Sequence, residues 1–170
     1  MPKLITQYVK IIDLICTKVG RITMYGVYLM MFILVLSFVT RNIINFPLMW
    51  IIEMAQFTMT AYYFLGGAYS MQMGDHVRMD LFYGNLSERG KAKMDIFTSA
   101  FLLFYLVTLL IGSVSSLIYT IETKQKLFTA WAPYVWPIKV LMLTGILLML
   151  LQTLSILFKD MAKLKGRKIN

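Results

Sequence analysis

The chain has 170 residues, 59% of them hydrophobic and 15% charged, with a formal charge of +9 and a mean hydropathy of +0.70. Soluble domains run about 45–50% apolar and about 25% charged, so a soluble enzyme domain is disfavoured, as are fibrous and disordered chains. One cysteine, Cys16, and one histidine, His76, leave no intrachain disulfide, no cysteine-built zinc or iron–sulfur site and no bis-histidine haem.

The first 21 residues have no continuous apolar core and so do not read as a secretory signal. Ile5, Tyr8, Val9, Ile12, Ile15, Cys16 and Val19 recur at three- and four-residue spacing, with Lys3, Gln7, Lys10, Asp13, Thr17 and Arg21 largely on the other face. That pattern predicts an amphipathic helix over 1–21 lying in the cytoplasmic interface, its stripe against lipid or a partner.

Four long apolar runs follow, predicting an all-α membrane protein with spans at about 22–40, 48–73, 96–119 and 138–158. The first contains no charge from Ile22 to Val39, the second one ionisable residue, Glu53, the third none, and the fourth Lys139 at its start. Open sheet edges are untenable in hydrocarbon, and the runs are too long for barrel strands. Pro47 suits the first turn of the second span, and Pro133 and Pro137 that of the fourth. Trp50, Trp131, Tyr134 and Trp136 suit the headgroup layer, with plain packing as the competing reading. The chain reads as one membrane domain over 1–170.

Thirteen of the 17 basic residues lie in the N-terminal segment, in the connection after the second span and at the C-terminus. Arg41, Lys124, Lys126 and Lys139 fall on the other side. This imbalance predicts both termini in the cytoplasm and accounts for the positive charge by topology and lipid contact, without nucleic acid.

Three constellations stand out. Glu53 is an intramembrane carboxylate with Trp50 and Gln56 at i−3 and i+3. It reads as a proton or cation site, as a fixed hydrogen bond between helices or subunits with Gln152 as one candidate partner, or as a snorkelling group. The fixed hydrogen bond is the preferred reading. Gly66, Gly67 and Ala68 permit close helix approach, as Ser113, Ser115 and Ser116 do in the third span. Gly74, followed by Asp75, His76, Arg78 and Asp80, reads as a helix end with a charge-paired turn. It lacks the further ligands that a metal or catalytic site needs, and a short interfacial segment is expected after it.

The ordered set now forms a profile: an amphipathic N-terminal helix, four spans and Trp50-x-x-Glu53 early in the second. Phe64-Leu65-Gly66-Gly67-Ala68 follows, and then Gly74-Asp75-His76-Val77-Arg78-Met79-Asp80. It resembles the small membrane subunit of tripartite ATP-independent periplasmic (TRAP) transporters, the DctQ-like small permease family, over nearly the whole chain. The resemblance implies a multi-pass protein of the bacterial inner membrane, working with a large permease subunit and a periplasmic substrate-binding protein. It implies sodium-coupled import of small organic acids, a scaffold role, and neither a cofactor nor substrate-coordinating residues in this chain. Trp50, Glu53, Gln56, Gly66, Gly67, Gly74, His76, Arg78 and Asp80 are then structural or subunit-interface residues.

The alternative function is a small four-helix proton-coupled exporter using Glu53, although such exporters are shorter and carry that residue in the first span. A redox-complex anchor would need more histidines, and an enzyme is the least fitting class.

Overall fold

The computed structural model describes residues 3–46, 48–74 and 88–164. All regular structure in it is helical: α1 (Lys3–Asn42), α2 (Trp50–Met73), α3 (Glu88–Glu122) and α4 (Trp136–Leu164). Three of these, α1, α3 and α4, are long and apolar enough to cross a membrane. The 24 residues of α2 rise about 36 Å, enough for the hydrocarbon layer, but Glu53, Gln56, Gln72 and a run of Thr and Tyr make it more polar.

The amphipathic segment expected over 1–21 and the first apolar run are one continuous helix, α1, with no boundary in the backbone between them. α1 is continuous for 40 residues because nothing in it stops a helix. Its interior has no proline, and Gly20 and Gly26 are isolated glycines, each costing only about 1 kcal/mol relative to alanine. The change in charge pattern near residue 21 has no counterpart in the backbone. The apolar stripe faces neither lipid nor a foreign partner alone: Val9, Ile12 and Cys16 are buried, Ile12 and Cys16 against Ala68 of α2 with Leu148, Met149 and Leu151 of α4 alongside.

α1 ends with its last carbonyls accepting from the chain that turns away. The amides of Ile43 and Ile44 both donate to Val39 O, Phe46 N donates to Thr40 O, and Asn45 takes a left-handed φ of 54° that asparagine tolerates. α2 stops where expected, at Gly74, whose φ of 80° and amide bonds to Met71 O and Ser70 O close the helix. α3 and α4 are joined by a hairpin-like connection in which Leu127 N donates to Pro133 O and Val135 N to Gln125 O. α4 then opens at Trp136 with Pro137 second, where a missing amide hydrogen costs nothing.

Packing sets the order in space. α4 lies against α3, α2 and α1, and α2 lies also against α1. Small residues permit the close approaches. A Cβ on Gly145 would sit 2.6 Å from the Phe64 carbonyl oxygen, and one on Gly67 would sit 2.7 Å from Met149 Sδ.

Two polar junctions fix direction. One joins the N-terminal part of α1 to the C-terminal ends of α2 and α4. The other joins the C-terminal end of α3 to the start of α4, where Lys139 Nζ donates to Ser116 O, Ser116 Oγ and Thr120 Oγ1. Consecutive helices therefore run antiparallel, and the first and last described residues lie at the same end. Large parts of α1 and α3 are uncovered: Tyr28 is 70% exposed and Phe104 75%.

Candidate functional site

The densest polar chemistry lies at the end that holds the termini, and Asp13 is its centre. α1 presents Asp13 beside the apolar stripe, four residues after Val9 and three before Cys16, so packing of the stripe carries the carboxylate into the three-helix junction. Oδ1 accepts from Gln152 Nε2 at 3.1 Å and from Ser155 Oγ at 3.3 Å. Oδ2 pairs with Lys159 Nζ at 2.5 Å. The three α4 partners fall at 152, 155 and 159, the i, i+3, i+7 spacing that keeps one face in line.

α2 joins through Gln72, whose Nε2 donates to the Asp13 carbonyl oxygen at 3.2 Å and to Thr17 Oγ1 at 3.1 Å. Thr17 itself donates to the Asp13 carbonyl at 2.8 Å. Tyr8 adds a bond from its hydroxyl to Leu151 O. Gln152 and Ser155 are fully buried, whereas the Asp13 and Lys159 side chains keep 23% and 28% exposure. The carboxylate thus has donors on both oxygens and a cation of its own chain beside it, an arrangement that clamps helices and leaves no ion cage. Gln152 Oε1 is buried with no partner among the described residues.

Glu53 sits at the far end of α2 from this clamp. It is 5% exposed, and its Oε2 has no hydrogen-bond partner among the described residues. Gln152 is not brought to it, because that amide is committed to Asp13. Trp50 opens α2 and is 37% exposed, while Gln56 is exposed. Gly66 faces Thr23 of α1 at ordinary contact distance, Gly67 faces Met149 of α4, and Gly74 caps the helix. These six residues are spread along the length of α2 and form no single pocket. His76, Arg78 and Asp80, and with them the charge-paired turn and the interfacial segment, lie outside the described residues, as does Pro47.

Asp13, Gln72, Ser155 and Lys159 were missing from the sequence-derived set. One signal pointed to the first of them: Asp13 is the only acidic residue before Glu53, placed at the edge of an apolar stripe. Among the described residues no group of His, Cys, Asp and Glu is arranged to hold a metal ion.

Fold and site together define a helical membrane protein whose principal polar side chains bind its own helices to one another. Residues 30–163 match the family described as tripartite ATP-independent periplasmic transporters, DctQ component. The chain belongs to that family and is the small membrane component of a TRAP transporter. A comparison with curated proteins gave no match. Membership agrees with the resemblance carried by the Trp50–Asp80 motifs and sets aside the proton-coupled exporter. The family is a transporter component and not a class of enzyme. Asp13 precedes the matched segment, whereas Gln72, Gln152, Ser155 and Lys159 fall within it.

Proposed function

We propose that this chain is a static brace for the large permease subunit in sodium-coupled, binding-protein-dependent import of small organic acids. It sits in the inner membrane with both termini in the cytoplasm, and α2 crosses the bilayer with the other three helices. The observation that carries the brace is the Asp13 clamp. A carboxylate bonded to Gln152, Ser155 and Lys159 of its own chain has donors on both oxygens and resists rearrangement. The exposed apolar faces of α1 and α3 supply surface for the large subunit and for lipid.

Uptake in proteoliposomes tests the division of labour. This chain alone should move neither sodium nor a carboxylate substrate, and the complete transporter with binding protein should show sodium-dependent uptake. Cation flux by the chain alone would overturn the reading.

Glu53 belongs to assembly in this proposal, being single and close to one membrane face. Glu53→Gln, which keeps shape and hydrogen-bonding capacity, should retain sodium dependence. Full assembly with sodium dependence abolished would refute that role. Topology follows the basic residues: a reporter active only in the periplasm should stay silent when fused at Asn170.

A further inference from the structure

At the end opposite the clamp, the end of α1 and the start of α2 line a cavity of about 310 Å³ formed by Ser37, Thr40, Arg41, Asn45, Leu48, Met49 and Ile52. Its two walls differ in kind. Ser37, Arg41 and Asn45 bring a hydroxyl, a guanidinium and a carboxamide, and none of these three side chains takes part in a hydrogen bond or ion pair among the described residues. Thr40 is already committed, its hydroxyl donating to Leu36 O at 2.8 Å. The facing wall is Leu48, Met49 and Ile52, with Met49 63% and Ile52 56% exposed. Glu53, the carboxylate of α2, does not line it.

Depth adds a second constraint. The uncharged run of α1 ends at Val39, so Arg41 stands two residues beyond the apolar stretch, at the boundary between hydrocarbon and headgroups. A cation and two neutral hydrogen-bonding groups at that level, beside an apolar wall continuing toward the hydrocarbon, match an anionic head joined to a tail. Arg41 and Asn45 are exposed there, open to a headgroup, and a guanidinium binds phosphate oxygens in pairs.

We propose that this cavity binds a phospholipid of the leaflet at the Arg41 end, its phosphate held by Arg41 with Asn45 and Ser37 and its acyl chain laid along Leu48, Met49 and Ile52. The phosphate specifies the head, and the apolar wall separates a lipid from a soluble phosphate. The site would place an ordered lipid against the C-terminal end of α1 and the start of α2.

Native mass spectrometry of the purified complex with its large subunit, titrated with dioleoyl-phosphatidylglycerol, tests this. Arg41→Gln should lower occupancy about tenfold, the loss of one charge-assisted hydrogen bond. Met49→Glu sets a like charge on the apolar wall and should lower it comparably, while Arg21→Gln, at the other end of the bundle, should leave it unchanged. Dioleoylglycerol, which has tails but no phosphate, should bind poorly, and equimolar glycerol phosphate, which has no tails, should fail to displace the lipid. Unchanged occupancy in both Arg41→Gln and Met49→Glu would overturn the proposal. So would equal binding of dioleoylglycerol, or complete displacement by glycerol phosphate.

Discussion

Replacing Asp13 with alanine isolates the clamp. The substitution removes the partner of Lys159 and leaves the fully buried Gln152 amide without its acceptor. An exposed ion pair contributes about 0–1 kcal/mol, and breaking a buried one costs about 3–5 kcal/mol. With 23% and 28% of the two side chains exposed, this pair falls between those limits and nearer the lower. Stranding a buried amide donor adds about 1–3 kcal/mol, part of which water recovers through the same opening. The expected loss is roughly 2–3 kcal/mol, or roughly 30- to 150-fold in the folded-to-unfolded ratio. Titrating the protein from mild detergent into dodecyl sulfate, with Trp50, Trp131 and Trp136 as fluorophores, measures it. A double-mutant cycle with Asp13→Leu and Lys159→Leu should give a coupling energy of about 1–2 kcal/mol. An Asp13→Ala variant within about 0.5 kcal/mol of the parent, together with zero coupling, would refute the clamp, since that is the scatter of neutral surface changes.

The glycine contacts separate by what stands opposite them. Gly145→Ala should cost about 1–3 kcal/mol in the same titration, because the obstructing atom is the Phe64 backbone carbonyl, whereas Gly67→Ala should cost less, because the Met149 side chain can swing away. Cys16 is 1% exposed within the α1–α2–α4 packing, so a maleimide should label it only after denaturation. Rapid labelling in mild detergent would show that α1 does not pack as described.

The helices were legible because hydrocarbon solvent demands long apolar runs, and the end of α2 was legible because Gly74 can take a left-handed conformation that other residues avoid. The clamp was not. Periodicity within one helix separates an apolar from a polar face, but it does not say which helix covers the border between them. Asp13 was assigned to the polar face on that basis, and its partners on other helices lie 59 to 146 positions away in the chain. Gln152 illustrates the same limit. As a polar residue in an apolar run it demanded a partner, and both Asp13 and Glu53 were acidic groups that chemistry allowed. Only the packing of α4 on α1 decides between them. The continuity of α1 was obscured by a change in side-chain polarity at residue 21 that has no counterpart in the backbone.

That continuity has a mechanical consequence. Between Asp13 and Arg41 the helix runs about 42 Å without a hinge. Its near portion is gripped by two neighbours, and much of its far portion, around Tyr25, Tyr28 and Phe32, is bare. Such a rod transmits any tilt at the carboxylate along its whole length. A pivot of about five degrees there carries Arg41 through roughly 4 Å, comparable with the few ångströms by which bilayers differ in thickness. The three side-chain bonds to one aspartate share the task of fixing that tilt with the packing that buries Thr23, Ile33 and Thr40 farther along the helix, and loosening the grip at Asp13 would be felt most strongly at the opposite end.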